Sequence, residues 1–122
     1  MKKILIVDDE EEIRELIKKR LEQNKYTALT ASNGAEALII SKTAKPDLIL
    51  LDIAMPGMDG YETCEKLKQS KDTNDIPVLF LTAKDLEPGS IIERYKNLAA
   101  YGYIAKPSTF GELFEKIKEI IG

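Results

Sequence analysis

A doubly wound, five-stranded parallel α/β sheet is the fold this sequence predicts. Three observations lead there. Five short apolar runs alternate with segments of helical periodicity. Three of those runs, "ILIV" (4–7), "LILL" (48–51) and "VLFL" (78–81), are unbroken, as expected of parallel strands covered on both faces. Four helical segments open on a capping residue with Glu three positions later, the sequence signature of a helix start.

The elements follow in order. The first strand (4–7) runs straight into "DDEEE" (8–12), and Ile13, Leu16, Ile17 and Leu21 then recur at helical spacing behind "DEEE" (9–12). "TALTA" (27–31) is weaker and alternating, which predicts an edge strand. "NGAE" (33–36) starts the second helix, 48–51 is the third strand, and "DGYE" (59–62) starts the third helix, whose stripe of Tyr61, Cys64 and Leu67 faces the core. The fourth strand is 78–81, followed by a helix marked by Ile91, Tyr95 and Leu98. "YGYIA" (101–105) is the other edge strand. "TFGE" (109–112) opens a last helix carrying Phe110, Leu113, Phe114, Ile117 and Ile121. No linker, repeat or low-complexity stretch interrupts the 122 residues, which suit one domain, 1–122. Such a (βα)₅ alternation has a flavodoxin-like form with strand order 2-1-3-4-5. Its ligands bind beyond the carboxyl ends of the strands where the winding reverses, here between strands 1 and 3.

Composition narrows the chemistry. The chain has no histidine, removing the usual general base and metal ligand. Its one cysteine, Cys64, excludes an intrachain disulfide. A net charge of −3 argues against direct nucleic-acid binding. No stretch approaches the ~20 apolar residues of a membrane span, and "MKKILIV" turns acidic too soon for a signal peptide. A cytoplasmic protein without membrane contact is the expectation.

The notable polar residues all fall at one end of the expected sheet. Strand 1 ends in Asp8-Asp9, strand 3 in Asp52, strand 4 in Thr82 and strand 5 in Lys106-Pro107. Each has a plain reading: Asp9 as a helix cap, Asp8 as a strand-end acid, Asp52 as a turn starter, Thr82 as a strand residue, Lys106 as a solvated lysine. Their coincidence is what points to a site. Two carboxylates about 5 Å apart repel by roughly 3 kcal/mol at an effective dielectric of 20, so three need a cation. An all-oxygen donor set favours a hard ion such as Mg²⁺, which keeps water and shares phosphate oxygens.

At this point the motifs match a family. "ILIVDDE" (4–10), "PDLILLDIAMPGMDG" (46–60), "PVLFLTA" (77–83) and "YIAKP" (103–107) together resemble the receiver domain of bacterial two-component response regulators, over essentially the whole chain. The resemblance implies that Asp52 is the phosphoacceptor. It implies that Asp8, Asp9, Asp52 and the backbone carbonyl of Ala54 hold Mg²⁺, and that Thr82 and Lys106 contact the phosphoryl group. It also makes Thr82 and Tyr103 a switch pair and places a cis peptide bond before Pro107. The partners implied are a sensor histidine kinase or histidine phosphotransfer protein, and a downstream partner or output domain. The reaction is self-catalysed phosphoryl transfer and autodephosphorylation rather than turnover by an enzyme. Departures from the family pattern lie in 84–103, including Pro88-Gly89 and Tyr101-Gly102, and at Ser108, all on the presumed signalling face.

Three rival readings stand beside this one. A flavodoxin-like electron carrier wants a Ser/Thr/Gly-rich phosphate loop where this chain has "DDEEE". An aspartate-nucleophile phosphatase wants its nucleophile after strand 1. A receiver-like binding scaffold that is never phosphorylated would not need the full acid, hydroxyl and lysine set.

Overall fold

The protein is described by a computed structural model, which covers residues 1–83, 98–106 and 110–122, with the backbone alone at Ala83 and Lys106. The helix expected around Ile91 and Tyr95, the peptide before Pro107, and the capping role of Thr109 lie outside the described residues.

Five parallel strands form one sheet in the order β2-β1-β3-β4-β5, as the alternation predicts. They are β1 (Lys3–Val7), β2 (Thr27–Ala31), β3 (Leu48–Asp52), β4 (Val78–Ala83) and β5 (Gly102–Lys106). The described helices are α1 (Glu11–Gln23), α2 (Gly34–Ala44), α3 (Gly60–Gln69) and α4 (Phe110–Ile121).

Unbroken apolar strands need apolar cover on both faces, and the core divides that way. Ile4, Ile6, Leu48, Leu50, Leu79 and Leu81 pack with Ile17 and Leu21 of α1 and with Leu113 and Ile117 of α4. The alternate residues Leu5, Val7, Ile49, Leu51, Val78 and Phe80 pack with Ala37 of α2 and with Cys64 and Leu67 of α3. Successive strand residues point to opposite faces, so each run of four feeds two cores. Tyr61 completes the α3 stripe from a half-buried position, edge-to-face on Phe80 with ring centroids 5.4 Å apart. Leu16, spaced as an apolar helix position, is instead 47% exposed.

The edge assignment of β2 holds, since it pairs only with β1, from Lys3↔Thr27 to Val7↔Ala31. The expected in–out alternation does not: Thr27 to Thr30 are all half-buried. Helices covering both faces of the sheet remove the wet face that alternation presupposes.

At the amino end of the sheet, charged groups are tied to backbone. Lys3 Nζ donates to the Ala44 carbonyl at 2.6 Å, and the Lys3 amide donates to Asp47 Oδ2 at 2.7 Å. The Asp47 amide donates back to the Lys3 carbonyl at 2.7 Å. These bonds fasten the α2–β3 connection to the start of β1 and fix the register Ile4↔Leu48 to Val7↔Leu51.

Candidate functional site

Register carries the predicted residues to one place. Val7 and Leu51 pair across β1 and β3, so Asp8 and Asp52, one residue further on, end neighbouring strands at the same level. Strand alternation puts both in the row of Ile6 and Leu50. Asp52 pairs with Leu81 of β4, and Thr82 follows immediately. Thr82 pairs with Ala105, Phe80 with Tyr103, and Ala83 with Lys106. The β5 members are thus in backbone register with the site, and Tyr103 stands diagonally across from Thr82.

Asp8, Asp52 and Thr82 are all at most 2% exposed, an unusual depth for two carboxylates and a hydroxyl. Asp9 and Ala54 are exposed. One donor toward the buried Asp8 carboxylate is the Glu10 amide, at 2.9 Å to Oδ1. The carboxylate oxygens of Asp8, Asp9 and Glu10 come within 4.8 Å of one another. Three clustered carboxylates, one buried and two open to solvent, are a donor set that suits a hard divalent cation. Glu10 is an acid that the sequence argument left out.

The helix starts around this cluster differ from the pattern that predicted them. Asn33 caps α2, its side chain accepting from the Glu36 amide at 2.8 Å, and Asp59 caps α3, accepting from the Glu62 amide at 2.9 Å. The expectation that Asp9 caps α1 is not met. The cap position is Glu10, and its side chain makes no capping bond. The helix starts one residue later than the motif spacing assumes, so Asp9 precedes the cap position and does not occupy it.

Two further residues shape the site without having been singled out. Gly60 begins α3 directly behind the phosphoacceptor candidate. A Cβ there would run into the Asp52 carbonyl oxygen and sit 2.7 Å from Ile53 Cα, while the Gly60 amide donates to the Ile53 carbonyl at 2.9 Å. Arg14 reaches back from the first turn of α1, and its Nη1 donates to the Asp8 carbonyl at 2.7 Å. The signal for Arg14 was available, because helical side chains lean toward the N-terminus. A guanidinium one turn into α1 therefore points at the end of β1. Cys64 is no rival nucleophile: burial pushes its thiol up to about 11, with only partial relief from Lys68.

Comparison with known proteins decides the family. Residues 4–118 match the model of the response regulator receiver domain. The chain belongs to the response regulator receiver family. This receiver is 44% identical over 120 residues to the alkaline phosphatase synthesis transcriptional regulatory protein PhoP of Bacillus subtilis, covering 98% of the chain and 48% of that protein. It is 42% identical over 120 residues to the phosphate regulon transcriptional regulatory protein PhoB of Pseudomonas aeruginosa, covering 98% of the chain and 52% of that protein. The receiver thus spans about half the length of the curated relatives it matches. Among solved structures it superposes on the chemotaxis protein CheY4 of Vibrio cholerae with a TM-score of 0.91 at 29% identity, covering 99% of both chains. The response regulator TrrA of Thermotoga maritima, solved in complex with Mg²⁺ and a beryllium fluoride, gives a TM-score of 0.86 at 39% identity, covering 99% of this chain and 100% of that one. No helix among the described residues is long and apolar enough to cross a membrane.

Proposed function

We propose that residues 1–122 form one receiver domain that accepts a phosphoryl group on Asp52. The donor is a phosphohistidine of a sensor kinase or histidine phosphotransfer protein, the domain works in the cytoplasm, and it passes the signal on through a partner protein or output domain. The observation that carries this reading is the pairing of two buried carboxylates, Asp8 and Asp52, at adjacent strand ends, with Thr82 buried one strand further.

In the transfer, an Asp52 carboxylate oxygen forms the new P–O bond as the P–N bond to the donor imidazole breaks. The imidazole leaves with the electron pair and takes a proton from solvent. The product is an acyl phosphate, formed by carboxylate nucleophilic catalysis. Such transfers need positioning and charge neutralisation more than covalent help. Asp8 and Asp9, with Glu10 beside them, the Asp52 carboxylate and the Ala54 carbonyl are the groups that would hold Mg²⁺. The ion, when bound, would neutralise charge on the transferring oxygens. Lys106 would supply a second positive charge. Asp52 is 2% exposed at the end of β3, which keeps bulk water from its carboxylate.

The response follows from Thr82. A hydrogen bond to a charged acceptor is worth about 1.5–3 kcal/mol, enough to shift a two-state element by roughly ten- to a hundredfold. Thr82 drawn toward the phosphoryl group leaves room for Tyr103, which packs from a half-buried position on the same core as Phe80. Thr82→Ala should accept phosphate and transmit it poorly. Its beryllofluoride-induced amide shifts in 98–106 and 110–116 should be much smaller than those of the wild type.

The test of the reading is phosphorylation itself. Incubation with acetyl phosphate and Mg²⁺ should add one phosphoryl mass, and Asp52→Asn should abolish the addition. Undiminished labelling of Asp52→Asn would overturn the assignment. A wild type that takes no label would favour the unphosphorylated scaffold.

A further inference from the structure

We propose that Arg14 is a positioning residue for the divalent cation, acting through the Asp8 backbone rather than by touching the ion. The inference rests on the reading of Asp8, Asp9 and Glu10 as a metal-holding cluster. The turn from β1 into α1 is the place where that cluster is made, and it lacks the side-chain cap that secures the starts of α2 and α3. Three of its bonds run within the turn. The Glu10 amide donates to Asp8 Oδ1 at 2.9 Å. The Arg14 amide donates to the Glu10 carbonyl at 3.1 Å. Arg14 Nη1 closes the loop on the Asp8 carbonyl at 2.7 Å. Arg14 therefore grips the turn at both its ends, by main chain at Glu10 and by side chain at Asp8.

Two opposite effects are expected of such a group. As a positive charge it opposes a cation nearby. As a clamp it keeps three carboxylates gathered that repulsion would otherwise spread. The bond length and half-buried setting of Arg14 favour the clamp, since a short charge-assisted bond fixes geometry whereas a charge partly open to water is screened. Outer partners of metal ligands commonly change affinity by 10- to 100-fold. The lower end applies here, because Arg14 bonds the backbone of Asp8 and not its carboxylate.

The experiment is calorimetric titration of Mg²⁺ into the whole chain, with Mn²⁺ as a second probe. Arg14→Ala should weaken Mg²⁺ about tenfold, while Arg14→Lys, which keeps charge and a donor, should stay within about threefold of wild type. Lys18→Ala removes an equal charge one turn further along α1 and should leave affinity unchanged. Should Arg14→Ala fail to fold by far-ultraviolet circular dichroism, Arg14→Gln, which keeps the stem but loses the guanidinium, decides instead, with a loss of about tenfold expected and wild-type affinity overturning the proposal. Unchanged or tighter Mg²⁺ binding by folded Arg14→Ala, or an equal loss in Lys18→Ala, would overturn the clamp and leave the metal reading standing. A wild type that binds neither ion would overturn both.

Discussion

The starts of α1 and α3 look alike in sequence and behave differently in the fold. Both follow a strand-end aspartate and open on an acid with Glu three residues later, "DEEE" and "DGYE". At α3, Asp59 spends its carboxylate on the Glu62 amide, and the helix packs against β3 with no room for a side chain at Gly60. At α1, Asp9 is solvent-exposed, Glu10 makes no capping bond, and the acids converge on one another. One start satisfies its own helix. The other gathers three carboxylates, those of Asp8, Asp9 and Glu10, within 4.8 Å of one another instead of turning one onto its own helix.

The contrast can be broken most strongly at Gly60. Gly60→Ala forces a methyl against the Asp52 backbone and should lower stability by at least about 2 kcal/mol, with acetyl phosphate labelling lost or slowed in whatever folds. Chemical denaturation and mass spectrometry read the two effects. Wild-type values for both would mean that α3 can move away from β3 freely.

Next come the caps. Asn33→Ala and Asp59→Ala should each cost about 1 kcal/mol, or about 4 °C in melting temperature. Glu10→Ala, measured in EDTA, should stay within about 0.5 kcal/mol of wild type, since it removes no cap. Equal losses at all three would show that α1 is capped like the others. Metal sharpens the same contrast: millimolar Mg²⁺ should raise the wild-type melting temperature by mass action, and the rise should shrink strongly in Asp9→Asn while surviving in Asp59→Ala. Smallest is the change at Ala54, exposed beside the site. Ala54→Glu should alter the decay of the acyl phosphate without moving the melting temperature, and identical decay in the two proteins would remove Ala54 as a control point.

Much of this was legible in the chain. Three unbroken runs, "ILIV", "LILL" and "VLFL", announce buried parallel strands because only two-sided cover allows them, and their ends deliver Asp8, Asp52 and Thr82 without further argument. What was not legible depends on register and crowding rather than on residue type. The capping pattern reads identically whether a carboxylate turns to its own helix or away from it, so the "DEEE" motif offers Asp9 as a cap although the cap position falls at Glu10, and Glu10 was missed. The need for glycine at position 60 arises from a backbone 8 residues earlier in the chain, brought close only when α3 docks. The half-buried rather than alternating β2 reflects helices on both its faces, which a five-residue window does not contain.

The crossovers of a parallel sheet carry a consequence for how this protein comes into being. Asp8, Asp52 and Thr82 arrive on three separate strands, the second and third reached through helices α2 and α3, and β4 joins β1 only through β3. No fragment ending before residue 82 contains the proposed site, and no hairpin or single βα unit can pre-assemble it. Non-local pairing of this kind is slow to form. During synthesis the chain would therefore stay chemically silent until most of it has emerged and found its register. Labelling by a small phosphodonor would then serve as an assay of completed folding, rising with the native sheet and not with helix content.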